Sequence, residues 1–250
     1  MNLVILEPPD LRQAGNVTLS DARAAHLIKV LKVGPGSEVR VGLLDGARGV
    51  GTVTSVGDGT VELQCRFESR VPQPPGVALL LALPRPKVMR RLWAQVAALG
   101  VDRIILTNAE RVERNYFDTH ILTPACYRPL LLEGLQQARD TRLPGVSIHR
   151  QLKVLVEDEL DRLFPTGLRL LAEPHAPGSP AAIVREHDGS PILLAVGPEG
   201  GWNQFEAGLL RAHGFHPVGM GPRTLRTDTA CVALLALVHD ALPRHAPEDA

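Results

Sequence analysis

The chain has 250 residues, of which 44% are hydrophobic, and its 27 Lys and Arg residues balance 27 Asp and Glu residues. This composition predicts a globular protein with one large or two smaller domains, and the balanced charge gives no general indication of a nucleic acid partner. No apolar run approaches the roughly 20 residues of a membrane span, and the N-terminal sequence lacks the features of a signal peptide.

The cysteines and histidines give no sign of a cross-linked or metal-bound fold. The chain contains three widely separated cysteines, Cys65, Cys126 and Cys231. An odd number without a CxxC pair argues against a disulfide framework and against a structural zinc site. His213 and His216 are not spaced as a helical ligand pair, and His26 is expected on the surface of a helix. We therefore predict a cytoplasmic protein without a metal.

The first part of the chain has the pattern of a small β domain. Residues 36–71 contain three short apolar or alternating runs, separated by Asp45-Gly46 and Gly57-Asp58-Gly59, which are hairpin turn signals. One helix is predicted over 20–31, with Ser20 as its N-cap. The Pro-rich stretch 71–76 then breaks all periodicity, as a stiff linker does. We accordingly predict an N-terminal domain over residues 1–72.

After the linker the pattern changes to alternating strands and helices. Continuous apolar runs, typical of strands covered on both faces, lie at 77–83, 103–107, 168–172 and 192–196. Helical segments are predicted at 87–99, 127–139, 203–213 and 227–242. This alternation predicts a parallel α/β domain, which we place at residues 76–244.

Two of these strands, and a further short apolar stretch, Val218-Gly219-Met220, that indicates another strand end, run into turns rich in Gly and Pro, at 171–175, 196–201 and 219–223. Glycines have no Cβ atom, so the backbone of these turns can approach a flat ligand closely. In open α/β sheets, ligands bind where strands end. The turns therefore predict a ligand site, with simple structural turns as the alternative. The chain has no GxGxxG motif that opens a helix and no GxxxxGK[ST] motif, which argues against a dinucleotide site and a P-loop.

Basic residues are concentrated in the middle of the chain. Residues 85–153 contain 12 Lys and Arg against 6 Asp and Glu. Four of the basic residues fall within seven positions that contain no acid: Arg85, Lys87, Arg90 and Arg91. Such a cluster predicts contacts with phosphates, and the solvated face of a helix is the alternative.

Two of the Gly-rich segments together resemble a known family. Val196-Gly197-Pro198-Glu199-Gly200-Gly201, taken with Met220-Gly221-Pro222-Arg223-Thr224-Leu225-Arg226-Thr227-Asp228-Thr229-Ala230, is similar to the paired signatures of the RsmE family of bacterial methyltransferases. Residues 26–36 and Leu44-Asp45-Gly46 resemble the N-terminal helix, turn and hairpin of the same family. The resemblance covers nearly the whole chain.

The resemblance implies a fold, a cofactor and a substrate. Members of the family methylate N3 of a uridine in small-subunit ribosomal RNA. They consist of a PUA-like β-barrel followed by a SPOUT domain, whose C-terminal trefoil knot binds S-adenosylmethionine. The family also implies a homodimer, with the cofactor site beside the subunit interface, and a substrate carried by the small ribosomal subunit.

The same resemblance assigns site residues. The implied cofactor-binding residues are Leu171, Ala172, Glu173, Gly197, Pro198, Glu199, Gly200, Gly201, Met220, Gly221, Leu225, Arg226 and Thr227. The basic residues expected to bind RNA are Arg23, Lys29, Lys32, Arg85, Lys87, Arg90 and Arg91.

Two arginines are predicted to act in catalysis. Uracil N3 must lose its proton before or during attack, and the negative charge then spreads onto the two carbonyl oxygens. The fork of fixed donors on Arg226 is suited to stabilise that charge, with an ion pair to Asp228 or Glu199 as the alternative. Arg111 resembles the family's Glu-Arg signature and is the second candidate. No general base stands out, and we favour structural roles for Glu199 and Asp228.

The chain also departs from the family pattern. The helix that follows Lys87 ends in Ala97-Ala98-Leu99-Gly100, where members usually carry Glu-Leu-Gly. Residues 135–144 replace a Glu-Gln-Ser-Gly-Arg segment. Two further functions therefore stay open beside uridine-N3 methylation: a methyltransferase for a different RNA target or atom, and a ribosome-associated RNA-binding protein without catalysis.

Overall fold

The computed structural model describes residues 2–243, and the chain divides into two compact units. The first unit contains the chain up to Pro74 together with Arg128–Leu143, and the second contains Pro75–Tyr127 and the chain from Pro144 onward. Segment 128–143 thus groups with the first unit, although its position in sequence is within the predicted second domain. The predicted domain bounds remain predictions, and their end points at residues 1 and 244 lie outside the described residues.

The first unit is built on a five-stranded sheet. Its strands are β1 (Val4–Leu6), β2 (Asn16–Leu19), β3 (Glu38–Leu43), β4 (Arg48–Val56) and β5 (Val61–Phe67). They lie in the order β1-β3-β4-β5-β2, and only the β1–β3 pair is parallel. The two predicted hairpins are confirmed. Strands β1 and β2 were not predicted, because runs of 3 and 4 residues are too short to show a period.

The helix of the first unit, α1 (Ala22–Lys29), lies within the predicted range but begins differently. Its N-cap is Asp21, whose carboxylate accepts a hydrogen bond from the Arg23 backbone N–H at 2.8 Å, so the prediction of Ser20 was wrong. A carboxylate at this position also interacts favourably with the positive end of the helix dipole. Ala24 and Leu27 form the buried face of the helix. Short 3-10 helices occupy Pro8–Asp10 and Gln13–Gly15.

Segment 128–143 belongs to the first unit because of specific contacts with the β3–β4 turn. The helix α3 (Pro124–Ala138) enters this unit at Arg128, and the chain then continues to Thr141, which is fully buried. The Thr141 hydroxyl donates to the Gly46 carbonyl at 2.6 Å, and the Asp45 N–H donates to the Thr141 carbonyl at 2.8 Å. Much of the segment that departs from the family pattern therefore serves packing within this unit.

The second unit contains a six-stranded, entirely parallel sheet. Its strands are β6 (Val77–Ala82), β7 (Arg103–Thr107), β8 (Gly145–His149), β9 (Leu168–Ala172), β10 (Ile192–Val196) and β11 (Phe215–Val218). They lie in the order β11-β9-β10-β6-β7-β8. The predicted α/β class is confirmed. Strand β8 was not predicted, because this edge strand is only partly buried and lacks a continuous apolar run.

Helices flank this sheet. They are α2 (Pro86–Leu99), the first turn of α3, α4 (Leu152–Val154), α5 (Leu160–Leu163), α6 (Pro180–Arg185), α7 (Gln204–Ala212) and α8 (Thr227–Ala241); a π-helical turn, Leu155–Glu159, joins α4 to α5, and 3-10 helices occupy Arg114–Asp118 and His120–Leu122. The predictions for α2, α7 and α8 are confirmed, whereas the helical turns from 152 to 163 and α6 were not predicted. No helix among the described residues is long and apolar enough to span a membrane.

Helix α8 is held at its C-terminal end by His239. The His239 Nε2–H group lies 2.7 Å from the Gly100 carbonyl oxygen, at the end of α2. Burial lowers the pKa of His239 below its ordinary value of 6.5, although the hydrogen bond to Gly100 opposes this shift. The folded protein therefore favours the neutral imidazole.

This contact predicts a loss of stability in acid. Above pH 6.5 the imidazole is neutral in both states, so its contribution to stability is fully present. As the pH falls below 6.5 toward the lower folded-state pKa, the unfolded chain binds the proton more readily and stability is lost. In His239→Gln, whose amide can still donate to Gly100, this component should be absent. Thermal unfolding from pH 8 to pH 5 checks it: parallel Tm curves for the two proteins would contradict the prediction.

Candidate functional site

A pocket lies where β9, β10 and β11 end. Three loops form it, each following the carboxyl end of one of these neighbouring strands, and the N-terminal half of α8 closes one side. The empty space within it, including the open mouth, is about 760 Å³. The three Gly-rich turns that the sequence suggested as a ligand site therefore meet in one place.

Most of the predicted cofactor residues line this pocket. They are Ala172, Glu173, Gly197, Pro198, Glu199, Gly200, Gly201, Met220, Gly221, Leu225 and Thr227. Leu171 does not line it, because side chains alternate along a strand and that of Leu171 is fully buried in the core on the other side. The side chain of Arg226 does not line it either. Contact between these residues and a cofactor remains a prediction.

Sequence reasoning missed some lining residues. Ala230 and Leu234 line the pocket together with Thr227, at intervals of three and four residues along α8. That spacing places them on one face of the helix, so extending the motif by helical periodicity would have found them. The remaining ones are Pro174, Val196, Val218, Gly219, Arg223 and Thr224, all within or next to the turns that the sequence singled out.

The loops after β9 and β11 are packed backbone against backbone. A Cβ atom at Gly219 would lie 2.5 Å from the Ala176 carbonyl oxygen. Because this oxygen belongs to the backbone, the clash could not be removed by moving a side chain. The Gly219 N–H donates to the Gly178 carbonyl at 2.8 Å, and the Glu173 N–H donates to the Val218 carbonyl at 3.0 Å. Glycine is required at position 219 because of this close approach. The loops thus form a firm wall of the pocket.

The loop after β10 has supports on both sides. A Cβ atom at Gly197 would lie 3.1 Å from the backbone nitrogen of Trp202, whose indole packs against the same glycine. On the other side, a Cβ atom at Gly200 would lie 2.8 Å from Cδ of Arg111, and Arg111 Nη1 donates a hydrogen bond to the Gly200 carbonyl. Arg111, one of the two predicted catalytic residues, is therefore in direct contact with the pocket loop.

Both candidate bases have structural partners. Asp228 forms an ion pair of 2.8 Å with Arg91, and this guanidinium lowers the pKa of Asp228 below its ordinary value of 3.8. A carboxylate of lowered pKa is a poor proton acceptor at neutral pH. Glu199 is exposed and accepts a hydrogen bond of 3.2 Å from the Arg85 backbone N–H. These contacts fit the structural roles that the sequence favoured.

Arg226 occupies the position just before α8, between Leu225 and Thr227, which both line the pocket. Its side chain is exposed and makes no hydrogen bond or ion pair with any residue that the structure describes. The alternative interpretation paired it with Asp228 or Glu199. Asp228 is instead bound to Arg91, and Glu199 accepts a hydrogen bond from the Arg85 backbone N–H, so the structure shows neither of these ion pairs.

The basic residues predicted to bind RNA are placed differently from one another. Arg23 is engaged by the carboxylates of Asp10 and Asp21, at 2.6 and 2.7 Å, so its guanidinium is largely occupied. The remaining ones are exposed: Lys29, Lys32, Arg85, Lys87, Arg90 and Arg91. Among them Arg91 is shared with Asp228. Exposure fits both contact with phosphates and a solvated face.

The cysteines and the potential metal ligands of residues 2–243 are not gathered in one place. This part of the chain has no cluster of three or more His, Cys, Asp or Glu side chains that could hold a metal ion. All three cysteines are free, and burial raises the pKa of Cys65 to about 11 and that of Cys231 to about 12. Such thiols stay protonated at neutral pH and are poor nucleophiles.

The sequence pattern of the RNA methyltransferase domain family matches residues 71–239, so the chain belongs to this family. The family resemblance seen in the motifs is thereby confirmed. A Ribosomal RNA small subunit methyltransferase E from Treponema pallidum (strain Nichols) is 29% identical over 245 residues, which cover 95% of this chain and 90% of that protein. A Ribosomal RNA small subunit methyltransferase E 1 from Borreliella burgdorferi is 26% identical over 234 residues, which cover 93% of this chain and 95% of that protein.

Solved structures show the same fold. A Ribosomal RNA small subunit methyltransferase E from Neisseria gonorrhoeae, bound to S-adenosyl methionine, superposes with a TM-score of 0.78 at 22% identity and covers 97% of this chain and 98% of its own. A methyltransferase from Legionella pneumophila, in complex with the same cofactor, gives a TM-score of 0.73 at 22% identity, with 96% and 98% covered. The architecture of this chain is therefore that of proteins crystallised with this cofactor.

Proposed function

We propose that this protein uses S-adenosylmethionine to methylate N3 of a uridine in small-subunit ribosomal RNA. The observation that carries the proposal is the pocket itself: the two signature segments, 196–201 and 220–230, line one cavity at the carboxyl ends of parallel strands. Relatives that match over most of this chain are named ribosomal RNA small subunit methyltransferases, and structures of the same fold contain the cofactor.

The pocket fits the cofactor by its chemistry. Its lining joins apolar side chains, suited to a purine ring, with glycine backbone that presents N–H and C=O groups at close range. The side chains of Ala172, Met220, Leu225 and Leu234 supply apolar surface, and the 197–201 backbone supplies the polar groups. When bound, S-adenosylmethionine supplies an electrophilic methyl group; the residues of the chain bind it and orient the acceptor.

The proposal assigns to two arginines the negative charge that develops on the acceptor. Removal of the N3 proton leaves negative charge on the uracil oxygens, and a guanidinium stays protonated and can donate two parallel hydrogen bonds to such a group. Arg226 is exposed next to residues that line the pocket. Arg111 uses one N–H group on the Gly200 carbonyl, and its other N–H groups can donate to a substrate. We propose that Arg226 stabilises the developing charge and that Arg111 holds the substrate.

The finer architecture belongs to the same proposal. We propose that the second unit is a SPOUT domain with a C-terminal trefoil knot, and that the sheet of the first unit is part of a PUA-like barrel that binds RNA. A cytoplasmic homodimer fits the apolar character of α8, whose exposed face includes Leu237 at 37% exposure. Sedimentation velocity at micromolar concentration tests the dimer, and a single 27.0 kDa species would contradict it.

The proposal is tested on ribosomal RNA from a strain that lacks this gene. Nucleoside mass spectrometry should show the loss of N3-methyluridine from the small-subunit RNA, and purified wild-type protein with cofactor should restore it on isolated small subunits. If N3-methyluridine persists while another modified nucleoside disappears, the target differs, as the altered segment 135–144 leaves open.

The non-catalytic alternative is separated by calorimetry. An RNA methyltransferase should bind S-adenosylmethionine with a saturable heat at a ratio of one per chain. A protein that only binds RNA should give no specific heat with the cofactor while still binding small-subunit RNA. That outcome would replace the proposed activity with RNA binding, which the exposed basic residues of α2 alone could support.

A further inference from the structure

A buried carboxylate joins two loops of the second unit. Glu206, in the first turn of α7, is only 5% exposed. Its Oε2 atom accepts the Asn203 backbone N–H at 2.9 Å, and the Asn203 side chain accepts the Glu206 N–H at 2.7 Å, a reciprocal capping box. This half of the arrangement serves the helix end. The other carboxylate oxygen does not.

The second oxygen reaches a different part of the chain. Oε1 of Glu206 accepts the backbone N–H of Glu110 at 2.7 Å, in the loop that follows β7. The Asn203 amide donates to the Glu110 carboxylate as well. These contacts tie the β7 loop to the start of α7, over a separation of 96 residues. We refer to Glu206, Asn203 and Glu110 as the clamp.

The clamp fixes the residue next to it. Arg111 follows Glu110 directly, and its stem lies against Gly200 while its Nη1 atom donates to the Gly200 carbonyl. An exposed arginine loses rotamer entropy when it is held in one geometry. Because the Glu110 N–H is bound to the buried Glu206 carboxylate, Arg111 is partly ordered before a substrate binds, and binding then costs less entropy.

We propose that Glu206 is a positioning residue for the methyl transfer: through Glu110 it holds Arg111 against the pocket loop, where Arg111 meets the substrate RNA. The inference rests on the proposed function. The inference goes beyond the proposed function because it gives a role in substrate alignment to a buried glutamate that lies outside the signature motifs. Capping of α7 requires only the bond from Asn203, so the hydrogen bond that Glu206 accepts from the Glu110 N–H points to a second role.

The clamp itself is tested without activity. In Glu206→Ala the Glu110 N–H loses its acceptor, so hydrogen exchange in peptides covering 108–113 should become faster by about 10-fold or more. Glu206→Gln keeps one acceptor oxygen, so its exchange rate should fall between those of the wild type and Glu206→Ala. If Glu206→Ala folds poorly, Glu206→Gln takes its place; Asn203→Ser keeps a good N-cap and the Glu206 acceptor, so its exchange should stay close to wild type. Unchanged exchange in a folded Glu206 variant overturns the inference.

The catalytic part is tested by a double-mutant cycle. Glu206→Ala should lower the single-turnover rate at saturating cofactor by about 10-fold, yet in an Arg111→Ala background the same change should cost less than about 2-fold further. Effects that multiply would show that Glu206 acts elsewhere and overturn the inference. Glu186→Ala, an exposed glutamate at the end of α6, is the matched control and should leave both readouts unchanged.

Failure of the inference and failure of the proposed function remain distinguishable. If the wild-type protein transfers no methyl group to small subunits, the proposed function is wrong and the catalytic role of the clamp falls with it, whereas the exchange experiment still reports on the clamp. If the wild type is active and the cycle is additive, only the inference is wrong.

Discussion

Replacing Arg226 with Ala should lower the single-turnover rate of methyl transfer by about 100-fold or more, the cost of removing one donor to a developing oxyanion. The reason is that its guanidinium is exposed beside the pocket and makes no ion pair with the residues that the structure describes. Because the side chain does not line the pocket, affinity for S-adenosylmethionine should change little. The measurement is methyl transfer to purified small subunits that lack the modification, with cofactor affinity determined alongside.

The lysine variant separates charge from geometry. Arg226→Lys keeps the positive charge and loses the planar fork, so a rate as low as that of Ala would indicate two-point contact with the uracil, and a near-normal rate would indicate charge alone. Arg162→Ala removes another exposed arginine, on α5, and should have no effect. Wild-type turnover in a folded Arg226→Ala enzyme would remove this residue from the mechanism and leave Arg111 as the candidate.

A second large effect is expected from Gly200→Val, which should weaken cofactor binding on the order of 100-fold, or about 2.8 kcal/mol. Gly200 lines the pocket, and even a Cβ atom there would lie 2.8 Å from Cδ of Arg111. The branched side chain must therefore displace either the arginine or the loop. Calorimetry with S-adenosylmethionine measures the affinity, and single-turnover assays at saturating cofactor report on Arg111.

The control is Gly208→Val, because Gly208 lies in α7 and a Cβ atom there meets open space. It introduces the same side chain into the same unit, at a helix position where Val is tolerated at least as well as Gly. Cofactor affinity should stay at the wild-type value in this control. If a folded Gly200→Val protein also binds the cofactor normally, Gly200 does not belong to the cofactor site, and a lowered rate would then be assigned to the displaced Arg111.

The class of the second unit and most of its helices and strands could be predicted from the sequence, because both depend on local patterns. Buried parallel strands are continuous apolar runs, as at 77–82 and 192–196, and they are visible without any knowledge of their neighbours. The Gly-rich turns after β10 and β11 could also be read as candidate ligand loops, since ligand sites gather at the carboxyl ends of strands. The family resemblance then added the identity of the expected cofactor.

Only the tertiary structure decided which of these pieces meet. The strand order β11-β9-β10-β6-β7-β8 places the loops after β9, β10 and β11 side by side, and no local pattern specifies that order. The contact of Arg111 with Gly200 joins residues 89 positions apart, and that of Thr141 with Gly46 joins residues 95 apart. Each depends on the packing of the whole unit. The sequence by itself determined most of the elements and the chemistry available in their loops. The tertiary structure decided that Arg226 lies outside the pocket lining, that Arg111 contacts the loop after β10, and that Glu206 binds the loop after β7. Such placements arise from long-range packing and hydrogen bonding, which neighbours in the chain do not specify.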